Sequence, residues 1–357
     1  MKARLRKLRE ILTENECGGI FINSPVNRRY ITGFTGSAGA ALITKDKAMF
    51  ITDFRYIEQA KNQCPDFEMV EQKQSIFHTA AELTDDFQVK TLAFEKDHVT
   101  FAVYELLKSR MSCELKATSS LVEDIRLYKD KDELSVLQKA AVIADEAFDH
   151  ITNYIKPGMR EIDVSNELEF FMRKKGAASS SFDIIVASGK RSAFPHGVAS
   201  DKKIESGELV TLDFGAYYQG YCSDITRTLA VGEPSAELKK IYQTVYEAQM
   251  KALEEIKPGM SGADADAVAR DYIKKQGYGE AFGHGLGHGL GMEVHENPRL
   301  SPKGDTLLRP GMIVTVEPGI YVPGTGGTRI EDDIVITENG NSRLTLSEKE
   351  LMIIGDS

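Results

Sequence analysis

Cysteine is scarce in this chain of 357 residues: Cys17, Cys64, Cys113 and Cys222 stand far apart, none in a Cys-x-x-Cys pair. That spacing argues against a thiolate zinc site or a disulfide framework and suits a reducing compartment, so the cytoplasm is the expected location. Long apolar runs are missing too. Nothing approaches the roughly 20 apolar residues that span a bilayer, so no membrane partner is expected. Met1 to Glu10 is basic, but no apolar run with a small-residue cleavage site follows it. Leu5, Leu8, Ile11 and Leu12 recur at helical spacing, which predicts an amphipathic first helix rather than a signal peptide. An excess of positive charge is also absent: 54 acidic residues against 44 basic ones leave a formal charge of −10, which speaks against a nucleic-acid surface.

With 41% hydrophobic and 27% charged residues, the composition is that of a folded globular protein long enough for two cores. The first 125 or so residues alternate strand and helix patterns. Gly19–Ile22, Ala40–Ile43 and Met49–Ile51 read as strands, and the glycine-rich stretch Gly33–Gly39 reads as a tight loop. The charged run Arg126–Glu133 marks a domain boundary before a long helix that starts near Asp132, with Leu134, Leu137, Ala141 and Ala144 on one face. The expected domains are therefore 1–127 and 128–357.

The second part contains a repeat. Ile155-Lys156-Pro157-Gly158-Met159 recurs as Ile256-Lys257-Pro258-Gly259-Met260, each copy following one helical pattern and leading into another. Gly207–Gly215 then matches Gly311–Gly319 position for position, with Asp213 and Glu317 at the same place. Two long copies are too few for a solenoid. A duplicated helix–helix–strand unit closed about a pseudo-twofold axis is the better reading, and such an axis turns symmetric residues toward one central cleft.

Asp213 and Asp224 flank β-forming residues around a Gln219-Gly220 turn, so a hairpin is expected to bring them opposite each other on one face. As isolated features they could be polar edge residues. Glu317 and Glu331 repeat the arrangement at 14 residues rather than 11, and Glu317 ends an otherwise apolar strand. Buried carboxylates are costly unless paired or bound to metal. Four acids converging on an axis imply a dense cationic partner, most simply two divalent ions. The segment from Gly283 to His295 carries His284, His288 and His295 among glycines. An exposed glycine-rich loop is one alternative reading and a phosphate cradle another, but G-x-G-x-x-G is not present. His295-Glu296-Asn297-Pro298 also fails the helical pattern H-E-x-x-H, which Pro298 would break. Histidine with carboxylates favours Mn²⁺, Zn²⁺, Co²⁺ or Fe²⁺. Two such ions roughly 3.5–4 Å apart would activate water as a nucleophile.

At Leu212–Gly215, Cys222–Thr228, Gly287–Gly291, Val316–Gly319 and Arg329–Asp332, in that order, the chain resembles the creatinase/aminopeptidase P/prolidase/methionine aminopeptidase superfamily. The resemblance covers nearly the whole chain. It implies an α/β architecture: an amino-terminal creatinase-like domain and a carboxyl-terminal pita-bread metallopeptidase domain. It further implies metal ligands Asp213, Asp224, His288, Glu317 and Glu331, two divalent ions with Mn²⁺ first among them, and Glu317 as proton acceptor. His196 and His295 would be catalytic and substrate-binding histidines, His284 would line the substrate side, and Arg329 would hold a ligand carboxylate. The intact ligand set disfavours creatinase and a non-catalytic peptide-binding module, and the amino-terminal domain disfavours methionine aminopeptidase. Peptides with proline second are the implied substrates. Ile31–Gly39 and Thr52–Tyr56 look more like aminopeptidase P than prolidase, so the expected activity is an Xaa-Pro aminopeptidase, with Xaa-Pro dipeptidase as the alternative. A homodimer is the implied assembly.

Overall fold

The computed structural model describes residues 1–355 and divides the chain into two units, Met1–Arg126 and the remainder from Leu127. In the first, helix Lys2–Glu14 buries Leu5, Leu8 and Leu12, the stripe that its spacing anticipates. Six strands follow: β1 (Gly19–Ile22), β2 (Ala40–Thr44), β3 (Ala48–Thr52), β4 (Glu68–Glu71), β5 (Thr91–Glu95) and β6 (Glu114–Thr118). They form one mixed sheet in the order β4-β3-β2-β1-β5-β6. The central strands β1, β2 and β3 are buried throughout, which explains why they read as unbroken apolar runs. Helix Pro25–Thr32 ends at Gly33, whose φ of 83° no β-branched residue would tolerate, and the chain runs without regular structure to β2.

The second unit is built twice over. Helix Lys131–Tyr154 starts with a reciprocal Asp130–Glu133 capping box and packs with helix Glu161–Lys174. Ile143, Phe148, Ile151, Leu168 and Met172 of this pair bury against Val210, Leu212, Phe214 and Leu229 of a four-stranded sheet. Helices Ala236–Glu255 and Gly262–Lys275 do the same over a five-stranded sheet, through Ile241, Val245, Ala269, Val314, Val316 and Ile334. Each such fully buried aliphatic or aromatic side chain contributes roughly 1.5–3 kcal/mol. The repeated Lys-Pro-Gly turns coincide in detail. Gly158 and Gly259 have φ of 89° and 91°, and each donates its N–H at 2.8 Å, to the carbonyls of Ile204 and Leu308. No helix among the described residues is long and apolar enough to cross a membrane. The four cysteines are free thiols.

Strand Glu208–Phe214 pairs antiparallel with Ile225–Val231, and its other edge with Ile185–Ser188. In the second copy, Ile313–Val316 pairs with Asp332–Ile336 and, at its other edge, with Gly287–Gly289. One expectation changes here. Asp213 pairs with Thr226, not with Asp224. The intervening residues leave the ladder: Ala216–Tyr218 and Tyr221–Cys222 turn at Gln219-Gly220 and join Ser179–Ser180 in a separate small sheet. Asp224 thus sits two residues before Asp213's partner, diagonal to it rather than opposite.

Candidate active site

Where the two copies meet, the ends of their strands enclose a cavity of about 520 Å³. It is lined by all nine side chains singled out above: His196, Asp213, Asp224, His284, His288, His295, Glu317, Arg329 and Glu331. The halves are stitched together beside it. Glu331 donates its N–H to the Thr226 carbonyl at 3.0 Å, and the Thr226 hydroxyl donates to Glu331 Oε2 at 2.6 Å.

Asp213, Asp224, His288 and Glu331 are buried. One donor atom each from Asp224, His288 and Glu331 lies within 4.8 Å of the others. Asp213 Oδ1 and Asp224 Oδ1 are buried without a hydrogen-bond partner among the described residues. Burial, followed by the charges of Glu331 and Asp213, pushes the Asp224 carboxyl well above the usual carboxylate range. Burial and then Glu317 and Asp213 do the same to Glu331. Burial also raises Asp213, against the opposing pull of Arg329. Glu317 differs: burial would raise it, but the hydrogen bond and charge of His288 bring it down to about 2. Orphaned buried oxygens in a cluster of acids that cannot all ionise together call for cations. The donor set, a nitrogen among carboxylate oxygens, fits divalent transition ions.

These side chains are held from behind. His288 Nδ1 lies 3.1 Å from the Gly289 carbonyl, which can only accept, so Nδ1 keeps a proton and Nε2, which faces the acids, is the nitrogen that would give up its own to a metal. His288 Nε2 is 3.3 Å from Glu317 and 3.9 Å from Asp224. Arg329 Nη2 donates to Asp213 Oδ2 at 2.5 Å, Nε to Thr226 Oγ1 at 3.1 Å and Nη1 to the Tyr321 hydroxyl at 2.8 Å. The Tyr321 hydroxyl lies 2.8 Å from His284 Nε2, while His284 Nδ1 faces the Gly285 carbonyl at 2.8 Å. Both nitrogens of His284 are therefore engaged within the protein. His295 is exposed, with its ring centroid 4.3 Å from that of His288. Burial, then the charges of His288 and Arg299, lower its pKa.

The glycines beside His288 let neighbouring strands approach its backbone closely. A Cβ on Gly287 or Gly289 would lie 2.0 Å from the carbonyl oxygens of Thr315 and Asn297. Sequence reasoning missed Thr226, Tyr321 and Arg299. Tyr321 stands 104 residues after Tyr217, the offset of the repeat, and could have been found by extending the Asp213–Glu317 match by four positions. Arg299 is the direct cross-strand partner of His288, so the two side chains share a face. Its side chain lines the cavity and makes neither a hydrogen bond nor an ion pair with any described residue. No motif announces it, since its place depends on the pairing.

Residues 135–338 match the model of metallopeptidase family M24, and residues 4–128 match the creatinase/prolidase amino-terminal domain. The chain belongs to metallopeptidase family M24. It is thus an enzyme, a metal-dependent peptidase whose pita-bread domain follows a creatinase-like domain in the sequence. The Xaa-Pro dipeptidase of Bacillus anthracis is 55% identical and superposes with a TM-score of 0.98, covering 99% of each chain. The Xaa-Pro dipeptidase of Pyrococcus furiosus is 42% identical over 99% of this M24 chain and 100% of its own. An X-Pro aminopeptidase from Thermotoga maritima is 40% identical with a TM-score of 0.91, covering 95% of this chain and 98% of that one.

Proposed function

We propose that this M24 enzyme is an Xaa-Pro dipeptidase. The observation that carries the reading is Arg299, whose side chain faces the cavity beside His288 and has no hydrogen-bond or ion-pair partner among the described residues. A dipeptide ends in a carboxylate directly after proline, whereas a longer peptide presents a neutral amide there. A guanidinium fork suits the former. The dipeptidases from Bacillus anthracis and Pyrococcus furiosus support the same choice over the aminopeptidase reading. The residues that favoured aminopeptidase P have structural duties in the first unit. Arg28 donates to the carbonyls of Gly36 and Gly39 at 2.8 and 2.7 Å, and the hydroxyls of Ser37 and Tyr56 lie 2.8 Å apart. Duties of that kind say nothing about peptide length.

In this reading Asp213, Asp224, His288, Glu317 and Glu331 hold two divalent ions, Mn²⁺ foremost. Bound there, the ions would acidify water and polarise the scissile carbonyl. The protein's own groups do the rest. Phe182, Ile185, Pro195 and Val294 wall the cavity and receive the apolar pyrrolidine ring. Arg299 anchors the terminal carboxylate. Glu317 offers a carboxylate oxygen to the proton of the attacking water. His295, with its lowered pKa, is neutral at pH 7 and donates an N–H to the carbonyl oxygen as charge builds there. His196, on an exposed loop at the rim, delivers a proton to the departing proline nitrogen. Arg329 fixes Asp213, and His284 fixes Tyr321 and through it Arg329.

The test is release of the amino-terminal residue from an Xaa-Pro dipeptide and from the matched Xaa-Pro-Xaa tripeptide, with Mn²⁺ supplied. Faster cleavage of the dipeptide is expected. Preference for the tripeptide would make the protein an aminopeptidase, and cleavage of neither would remove the Xaa-Pro assignment.

A further inference from the structure

The segment that carries His284 is gripped from outside the cavity. Asp266 and Arg270 lie one turn apart on helix Gly262–Lys275 and form a two-pronged pair: Arg270 Nε donates to Asp266 Oδ2 at 2.6 Å and Nη2 to Oδ1 at 2.8 Å. Neither residue lines the cavity. Their remaining bonds go to the chain on both sides of His284. Arg270 donates to the carbonyls of Phe282 at 3.0 Å and His284 at 2.6 Å, and Asp266 Oδ1 accepts the Leu286 N–H at 2.9 Å. The guanidinium also lies 4.4 Å from the centre of the Phe282 ring.

Two routes lead inward from this grip. Leu286, held by its N–H, accepts the N–H of Glu317 on its carbonyl at 2.8 Å. His284, held by its carbonyl, bonds to Tyr321, which bonds to Arg329, which bonds to Asp213. Asp266 is 1% exposed, so its charge is tied to this task. The other half of the unit uses a comparable device. Glu161, fully buried at the start of helix Glu161–Lys174, accepts from Ser188, Arg191 and Ser200 and so brackets the loop that bears His196.

We infer that Asp266 and Arg270 are positioning residues of the reaction, acting through His284 to set the Tyr321–Arg329 arm of the site. The inference rests on the peptidase reading above. Removing the grip should leave the ligand acids in place while letting the His284 segment drift, and displacements of about 1 Å at such a site cost on the order of 100-fold in rate.

The experiment is a double-mutant cycle on the full-length, metal-loaded enzyme, with an Xaa-Pro dipeptide as substrate: wild type, Arg270→Met, His284→Ala and the double variant. Arg270→Met is expected to lower kcat by roughly 10- to 100-fold with wild-type metal content. The double variant should then be no more than about threefold worse than His284→Ala alone, since both changes disable one arm. Losses that multiply, or an Arg270→Met enzyme with wild-type turnover, would overturn the inference. If Arg270→Met does not fold, Asp266→Asn takes its place, because it keeps an acceptor for Leu286 while removing the charge, and the same two outcomes decide. Side-chain ¹⁵N spectra of the histidines ask the question without turnover. Arg270→Met should move the ring nitrogens of His284 and leave those of His196 in place, and an unmoved His284 would overturn the inference. A wild-type protein inactive on every Xaa-Pro peptide would sink the peptidase reading, and these spectra would still judge the grip.

Discussion

Replacing Arg299 by methionine removes a charge while keeping much of its apolar stem. Two unit charges about 4 Å apart attract by about 1 kcal/mol in water and about 4 kcal/mol at the effective dielectric of a protein surface. Arg299 is exposed yet lines a walled cavity, so a value near 2 kcal/mol is the reasonable middle, a factor of about 30 in kcat/KM. The substitution also withdraws a positive charge from His295 and relieves part of the depression of its pKa. That side effect falls equally on any substrate, so the comparison must be internal. With an Xaa-Pro dipeptide, Arg299→Met should lower kcat/KM about 30-fold. With the corresponding Xaa-Pro amide, which lacks the charge, it should change it less than about threefold. Raising the ionic strength should narrow the wild-type preference for the acid over the amide. An equal loss on both substrates would show that Arg299 does not read the carboxylate.

Two further outcomes test the surrounding structure. Burial, partly offset by a hydrogen bond from Thr32 and by the charge of Arg28, pushes the Cys64 thiol up from 9.0 to about 11. A thiol raised on folding contributes its full stability below pH 9 and loses it as pH rises through 11. In urea melts, therefore, the stability gap between wild type and Cys64→Ala should shrink by about 2 kcal/mol between pH 8 and pH 10.5, and a constant gap would contradict this. Arg227, 1% exposed, donates to Asp332, to the Thr226 and Glu331 carbonyls and to Ser347 and Glu348. Arg227→Met should cost about 3–5 kcal/mol because it strands part of a buried charge, with Asp332→Asn in the same chain recovering some of it. A loss below about 1 kcal/mol would mean that Lys349, Gln249 and Thr345 satisfy Asp332 without Arg227.

Much of this molecule is legible from local signals. The strands at residues 19–22, 40–44 and 48–52 are buried on both faces, so they read as solid apolar runs, and the duplicated Lys-Pro-Gly turns declare the pseudo-symmetry of the second unit. The acids stand out because a charge at the end of a buried strand needs a reason. What could not be read depends on pairing between distant segments. Asp213 faces Thr226 because residues 215–223 leave the ladder, and nothing in their composition requires that departure. Arg299 acquires meaning only as the partner of His288. Asp266 and Arg270 look like an ordinary i, i+4 pair on a helix surface until the chain from Phe282 to Leu286 is laid over them. The amino-terminal motifs that point to aminopeptidase P carry side chains that brace one another, Ser37 on Tyr56, so they do not report on peptide length.

The proposed metal centre of Asp213, Asp224, His288, Glu317 and Glu331 stands or falls on the number of divalent ions bound per chain in protein purified without chelator and reloaded with Mn²⁺. Two ions for the wild type, falling to one or none in Asp224→Asn while His295→Ala keeps both and loses turnover, is the predicted result. A wild type that binds no ion, or an Asp224→Asn variant that retains both and stays active, would contradict it.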